Sequence, residues 1–162
     1  MVTSVVMGAA LIQTREDARA YYEAKLARSH TISCYGRSVT IVFERGATHL
    51  YSVEWKVGEP EPLGAERVVR QLGGGREDVR RFSLARARVM DEVLPALSKF
   101  SLSTSGQNGN RLVFGPRRHD GWYMMAALRH GPRQAMTCVS AYLVEEYKWK
   151  RARASKAAKF PP

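Results

Sequence analysis

The sequence is poor in cysteine. It contains two, Cys34 and Cys138, which are too few for a disulfide framework. We expect buried thiols in a reducing compartment, with a single bridge as the alternative. No Cys-x-x-Cys pair and no Cys/His cluster has the spacing of a zinc site. The disulfide-rich secreted class is therefore excluded, and we expect no metal.

Long apolar runs and nucleotide-binding motifs are also missing. The apolar run "SVVMGAALI", which ends at Ile12, is too short to span a bilayer and lacks the basic flank of a signal peptide. We expect it to form a strand or arm packed against the protein. There is no Walker A loop, no Gly-x-Gly-x-x-Gly after a strand, no His-Glu-x-x-His and no convincing carboxylate pair. The sequence thus predicts no membrane association, no cofactor and no metal-dependent chemistry.

Acidic residues are outnumbered by basic ones. The chain of 162 residues has 26 Lys and Arg against 15 Asp and Glu, giving a net charge of +11. Most of the basic residues are arginine, which forms bidentate contacts with phosphate and stacks on flat rings. This balance favours a polyanionic partner, above all nucleic acid. The alternative is a basic protein without such a ligand.

The N-terminal half mixes helix and strand patterns. "TREDARAYYEAKLARSH" predicts a helix with Thr14 as N-cap and Asp17 completing a capping box. Alternation predicts a strand through "VTIVF" and a second from Leu50 to Trp55. "AERVVRQL" and "RRFSLARARVMDEVLPAL" are interpreted as helices. Ser83 would cap the second of these helices, and Pro95 would kink or end it.

The C-terminal half reads as strands. "SLSTSGQNGN" is typical of a polar loop, whereas "RLVFG", "GWYMMAALR" and "QAMTCVSAYLV" predict strands, the last two joined through "HGPR". Both faces of these last two strands are apolar, so we expect the two strands to lie in the middle of a sheet. The expected class is α+β, with N-terminal helices packed on a curved antiparallel sheet of about four strands. We expect an arm and helix over 1–37, the main domain over 38–147 and a basic tail over 148–162.

Arginines gather at the start of the "RRFSLARARVMDEVLPAL" helix. Cations at a helix N-terminus oppose the helix dipole, but together with the free backbone N–H groups they make a natural seat for an anion. The alternative is a solvated helix face. The arginines considered are Arg76, Arg80, Arg81, Arg86 and Arg88.

Other candidate groups are spread along the chain. His49, between the two predicted strands, suits proton transfer near neutral pH, although a structural histidine is the alternative. Ser140 and Tyr142 share one face of their strand with Cys138, but no nucleophile motif surrounds them. Further contacts to nucleic acid are expected from a basic turn and from the tail, where Tyr147 and Trp149 would stack on bases. A disordered tail is the alternative. The expected nucleic-acid contact residues are Arg80, Arg88, Arg117, Arg118, His119, Lys148, Lys150 and Arg151.

Three of these segments together resemble a known family. The strand "VTIVFERGATHL", the arginine-bearing "RRFSLARARVMDEVLPAL" and the hairpin "GWYMMAALR…TCVSAYLV" resemble phage-associated members of the barnase–EndoU–colicin–RelE nuclease superfamily over about residues 38–150. The resemblance implies metal-free RNA cleavage through attack of the ribose 2′-OH. His49 would be the base, Arg81 and Arg86 would stabilise the phosphoryl charge, and Ser140 would orient the phosphate. Tyr142, Lys148 or His119 would supply the proton for the leaving group.

The resemblance also implies partners and a location. The partner would be RNA, including tRNA or ribosome-associated RNA, in the cytoplasm of a bacterial host or in a virion. Two alternatives stay open. One is a non-catalytic basic phage or virion protein that binds nucleic acid. The other is an interaction domain whose basic face meets an acidic protein partner or inhibitor.

Overall fold

The chain forms two compact units. The computed structural model describes residues 8–131 and 134–161. Within them, residues 8–27 and 45–90 make the first unit, and residues 28–44 and 91–161 make the second. Residues 4–7 of the predicted N-terminal arm and residues 132–133 of the predicted "HGPR" connection lie outside the described residues. The expected boundaries after residues 37 and 147 stay predictions.

Ten strands and four α-helices are described. The strands are β1 (His30–Cys34), β2 (Arg37–Phe43), β3 (Ser52–Glu54), β4 (Arg67–Gln71), β5 (Glu77–Phe82), β6 (Leu102–Ser105), β7 (Arg111–Arg117), β8 (Tyr123–His130), β9 (Met136–Val144) and β10 (Ala158–Lys159). The α-helices are α1 (Arg15–Tyr21), α2 (Leu84–Ala87), α3 (Val93–Leu97) and α4 (Glu146–Ala154).

The predicted architecture of helices on a sheet of about four strands is wrong. The second unit holds a seven-stranded sheet in the order β1-β2-β9-β8-β7-β6-β10, and the first unit holds a three-stranded sheet in the order β3-β5-β4. The α-helices are only four to nine residues long. The fold is therefore dominated by strands, and the fold implied by the family resemblance is not observed.

The start of the first predicted helix is confirmed, whereas its predicted end at His30 is wrong, because β1 begins at that residue. Thr14 accepts a hydrogen bond from the backbone N–H of Asp17, while the Asp17 carboxylate accepts from the backbone N–H of Thr14. This reciprocal capping satisfies N–H groups that a helix start leaves unpaired. The chain then continues as a π-helical turn over Tyr22–Leu26.

One predicted helix is largely a strand, and the other begins as a strand and continues as the short helices α2 and α3. "AERVVRQL" supplies β4, in which Val68 is fully buried opposite Arg80. The start of "RRFSLARARVMDEVLPAL" ends β5. The Ser83 cap is confirmed, because its hydroxyl accepts from the N–H of Arg86 at 3.3 Å. Pro95 lies in the first turn of α3, where the helix needs no N–H from it.

The seven-stranded sheet confirms the central placement of the two apolar strands. β8 lies between β9 and β7, and β9 lies between β2 and β8. β2 runs parallel to β9, whereas the other neighbouring pairs are antiparallel. The predicted loop "SLSTSGQNGN" is instead β6 and a short turn, with Ser103 buried.

The basic tail is ordered as α4 and β10. The Trp149 ring stacks on Tyr123 with centroids 5.0 Å apart and lies 6.0 Å from Phe114. Ala152 is buried on the same side of the helix. Since Trp149 packs on the sheet, it does not form the exposed stacking platform that the sequence predicted.

Candidate active site

One face of the three-stranded sheet collects charged side chains. Residues directly opposite in neighbouring strands share a face. Arg70 on β4 lies opposite Asp78 on β5, and Arg80 lies opposite Glu54 on β3. Because Asp78 and Arg80 are two residues apart on β5, all four side chains belong to the same face.

His49 joins this face from the turn that precedes β3. It lies in a short 3₁₀ turn, Thr48–Leu50. Ala47, the residue before this turn, has the left-handed backbone conformation. The His49 Nε2 atom is 3.3 Å from Nη1 of Arg70 and 3.9 Å from Oδ2 of Asp78. The imidazole side chain is only 20% exposed. Strand register and the turn thus bring together three residues that are distant in the sequence.

Ser52 and Asp78 hold the Arg80 side chain in place. Its Nε donates to the Ser52 hydroxyl at 2.8 Å, and its Nη1 lies 3.7 Å from Oδ2 of Asp78. The residue is 7% exposed and Ser52 is fully buried. A guanidinium held by a buried hydroxyl and a carboxylate has few alternative rotamers, so its charge stays at one position.

Arg86 adds a third guanidinium from α2. Its Nη1 donates to the backbone carbonyl of Ser52 at 3.0 Å and to that of His49 at 3.4 Å. These bonds tie α2 to the turn that carries the imidazole. We refer below to the His49 cluster, which consists of His49, Arg70, Asp78, Arg80 and Arg86. With the imidazole neutral, three cations face the Asp78 carboxylate within it, and Glu54, opposite Arg80, adds a second carboxylate beside the cluster.

The cluster changes the acid–base behaviour of its histidine. Burial, together with the nearby charges of Arg80 and Arg70, lowers the pKa of His49 to about 4 against the opposing effect of Asp78. Burial also lowers the pKa of Arg80. At neutral pH the imidazole is therefore uncharged, and its acceptor nitrogen Nε2 receives a hydrogen bond from the Arg70 guanidinium, which can only donate.

The depressed pKa makes stability depend on pH. Between pH 6.5 and about 4, the unfolded chain protonates His49 while the folded chain does not. The stability contribution is complete above pH 6.5 and is lost as the pH falls towards 4. We expect the free energy of unfolding to fall by about 2 kcal/mol. This is less than the full pKa shift implies, because solvent screens part of it.

Urea unfolding at about pH 7 and about pH 4.5 checks this expectation. His49→Gln, which removes the titrating group, should lose less stability over the same interval than the wild-type chain. Equal losses in the two proteins would contradict it. Comparing the two proteins cancels the titration of the carboxylates, which also contribute over this interval.

The sequence-predicted Arg81 lies on the other face of the sheet. It follows Arg80 by one position on β5, so its side chain points the opposite way. Its guanidinium bonds the Glu66 carboxylate at 2.9 Å and the Pro60 carbonyl at 2.6 Å. Arg88 donates to the carbonyl of Ile12 at 2.9 Å. Of the predicted arginines, the structure brings Arg80 and Arg86 to His49.

The predicted hydroxyl residues belong to the second unit. Ser140 is 8% exposed on β9, opposite Ala127. Tyr142 is half-buried and packs against an apolar cluster that includes Phe114 and Tyr123. Burial raises the pKa of Cys138 on the same strand to about 12, so its thiolate is not populated at neutral pH.

The predicted nucleic-acid contacts other than Arg80 and Arg88 are also in the second unit. Arg118 pairs with Glu92 at 3.2 Å and Asp120 at 3.4 Å, and Arg117 lies 4.0 Å from Glu146. His119 is exposed. Lys148, Lys150 and Arg151 are exposed on α4, and the Arg151 guanidinium lies 5.7 Å from the Tyr147 ring centre.

Sequence reasoning missed Arg70 and Asp78. Arg70 falls in the segment interpreted as a helix, where it reads as a solvated charge. Asp78 follows the three glycines of "GGGRED", which by themselves indicate only a loop. The sequence does contain a signal that would have placed both residues on strands. The segments "VVR" and "DVRRF", on either side of three glycines, form a hairpin pattern.

Within residues 8–131 and 134–161, no helix combines the length and apolar character that crossing a membrane requires. In the same ranges, no three His, Cys, Asp or Glu side chains group as metal ligands would. The chain was compared with protein-family models, curated proteins and solved structures, and none of the three comparisons finds a match.

Proposed function

We propose that this protein is a metal-independent endoribonuclease whose active site is the His49 cluster. The observation that carries the proposal is the placement of three guanidiniums around a neutral imidazole. Arg70 approaches the ring nitrogen, and Arg86 holds the His49 carbonyl. A phosphodiester seated here would meet fixed positive charge next to a proton acceptor.

The mechanism uses the imidazole as general base. When the phosphodiester binds, the Arg70 guanidinium leaves His49 Nε2 for a phosphoryl oxygen. The freed Nε2 takes the proton of a ribose 2′-OH, and the oxygen attacks the adjacent phosphorus. The bond from phosphorus to the 5′-oxygen breaks, and that oxygen takes a proton from water. The products are a 2′,3′-cyclic phosphate and a 5′-hydroxyl end. Arg70 and Arg86 stabilise the charge that develops on the phosphoryl oxygens.

The charge of the cluster argues for cleavage without a divalent cation. Three guanidiniums repel such an ion, and Arg80 shares the Asp78 carboxylate. The guanidiniums themselves supply the positive charge that a metal ion gives to other phosphoryl-transfer sites. The proposed substrate is RNA, either in the cytoplasm of a bacterial host or handled by a virion protein.

Cleavage of RNA in the presence of EDTA tests the proposal. The full chain is incubated with a labelled oligoribonucleotide, and the ends of the fragments are analysed. We expect 5′-hydroxyl and 2′,3′-cyclic phosphate ends, the latter resistant to phosphatase until acid opens the ring. The same sequence as DNA or as 2′-O-methyl RNA should stay intact, because neither carries the attacking hydroxyl. Intact RNA, or fragments with 3′-hydroxyl ends, would overturn the proposal.

One observation favours a second candidate function. A histidine with a pKa of about 4 is a weak base, and the same cationic face would hold a phosphate without cutting it. On this alternative the chain is a non-catalytic nucleic-acid-binding protein. Binding without cleavage, weakening steeply as salt rises, identifies it. If the protein does not bind nucleic acid, its basic face would instead bind an acidic protein partner.

A further inference from the structure

The C-terminal part of the chain carries positive charge that the His49 cluster does not use. After Glu146 the sequence has six basic residues and no acidic one. Four of the six belong to α4 and are exposed, namely Lys148, Lys150, Arg151 and Arg153. Among the described residues, no carboxylate lies within ion-pair distance of Lys148, Lys150 or Arg153. Their charge is therefore balanced only by ions from the solvent.

The packing of Trp149 determines which side of α4 faces the solvent. Its ring stacks on an aromatic ring of β8, and Ala152, three residues later, is buried. Residues three or four apart lie on the same side of a helix. Tyr147, Lys150 and Arg151 have this spacing, lie on the side opposite Trp149 and are exposed. Because the helix is anchored to the sheet, this outward face presents its side chains from a fixed backbone.

The helix dipole accounts for only part of the positive charge. Arg151 and Arg153 lie in the last turn of α4, where cations interact favourably with the dipole. Lys148 and Lys150 lie nearer the N-terminus and gain no such advantage. The Arg117 side chain, which is 60% exposed, lies 4.0 Å from Glu146, so the acidic residue of α4 has a cation of its own. A polyanion bound along the helix would balance the remaining charge.

Tyr147 adds an aromatic ring to the outward face of α4. The Arg151 guanidinium lies over this ring, 5.7 Å from its centre. Tyr147 is nevertheless 52% exposed, so ring area remains available to another flat group. The bases of a single strand can stack on such a ring, whereas the bases of a duplex are stacked on one another. The combination of cations with an exposed ring therefore favours a single strand over a duplex.

We propose that the outward face of α4 binds a single-stranded nucleic acid. Lys150 and Arg151 contact its phosphates, and one of its bases stacks on Tyr147. RNA and DNA share both of these groups. The residues concerned lie in the second unit, whereas the His49 cluster lies in the first. The proposal therefore goes beyond the ribonuclease proposal and stands whether or not the His49 cluster cleaves RNA.

Fluorescence anisotropy on the full chain tests the proposal with strands that 2′-OH attack cannot cleave. The probes are a labelled 2′-O-methyl oligouridylate and a DNA oligothymidylate of the same length, and the one that binds more tightly identifies the source of the strand. We expect saturable binding, weaker by at least about tenfold for a duplex. The double variant K150Q/R151Q should bind at least about tenfold more weakly. Its slope of log affinity against log salt should be shallower by about 1.4, or about 0.7 for each lost phosphate contact.

The double variant K25Q/R28Q is the matched control for charge. Lys25 and Arg28 are exposed residues that precede β1, so their substitution removes the same two residue types and the same net charge. This control should bind within about twofold of the wild type. Equal weakening in the two double variants would overturn the proposal, because attraction would then depend on net charge alone.

Tyr147 separates stacking from charge. Tyr147→Ala should weaken binding about tenfold without changing the salt dependence, whereas Tyr147→Phe should bind as the wild type does. Alanine is a good helix former, and unfolding curves show whether the variant keeps its stability.

Four further results would overturn the proposal. They are absence of binding, tighter binding of the duplex, equal affinity of Tyr147→Ala and the wild type, and displacement of the strand by polyglutamate of equal charge. The last result would assign the face to an acidic protein. RNA cleavage by a protein whose α4 variants bind normally would overturn this proposal and leave the ribonuclease proposal intact.

Discussion

His49→Gln is expected to lower the rate of RNA cleavage by about 10²–10⁴-fold, the usual contribution of a positioned general base. Glutamine approximates the size and polarity of histidine but cannot take a proton near neutral pH. At pH 7 the substitution exchanges one neutral side chain for another, so the fold and phosphate binding should persist. Single-turnover cleavage of a labelled oligoribonucleotide measures the rate, and nucleic-acid binding is measured separately.

His130→Gln is the matched control for this variant. His130 is exposed at the end of β8, outside the His49 cluster, and its substitution should leave the rate unchanged. In the wild type, kcat/KM should fall as the pH drops through about 4, because protonation removes the base. A His49→Gln enzyme that keeps the wild-type rate would exclude the imidazole as the base, even if the protein still cleaves RNA.

Arg70→Gln is expected to lower kcat/KM by about 10²–10³-fold. Its guanidinium lies beside the imidazole nitrogen, where negative charge on the phosphoryl oxygens would develop. Arg70→Lys should retain part of the activity, since it keeps the charge but loses the planar fork. The variants are compared by steady-state cleavage kinetics, with unfolding curves recorded alongside.

Arg45→Gln provides the control for the loss of one positive charge. Arg45 is exposed in the same unit, so its removal lowers the net charge equally without touching the cluster. It should change cleavage less than threefold, chiefly through weaker attraction of the polyanion. Equal effects of the two substitutions would mean that Arg70 acts only through net charge.

Strands and caps were predictable where local pattern and tertiary structure agree. β8 and β9 are apolar on both faces and lie in the middle of the sheet, and the Thr14 capping box forms as the sequence indicates. β4 and β5 were missed because Arg, Leu and Gln are good helix formers in isolation. In the protein, cross-strand pairing between residues 67–71 and 77–81 overrides that preference.

The candidate site was only partly predictable for a related reason. His49 and Arg86 attract attention through residue type, and the structure brings them together. Choosing Arg80 rather than Arg81 requires the phase of alternation along β5, and finding Arg70 requires the register between β4 and β5. Neither is encoded within a single short window, because both depend on which strand pairs with which.

The chain visits the two units alternately: it starts in the first, makes β1 and β2 of the second, returns to the first, and only then completes the second. During synthesis, β2 leaves the ribosome well before Cys138, which pairs with Phe43. At about 5–20 residues per second, the delay lasts several seconds. Throughout that interval, the nascent β1–β2 hairpin exposes Ile41 and Phe43, which are buried in the finished protein. Chaperones that shield short apolar hairpins should therefore raise the yield of soluble protein.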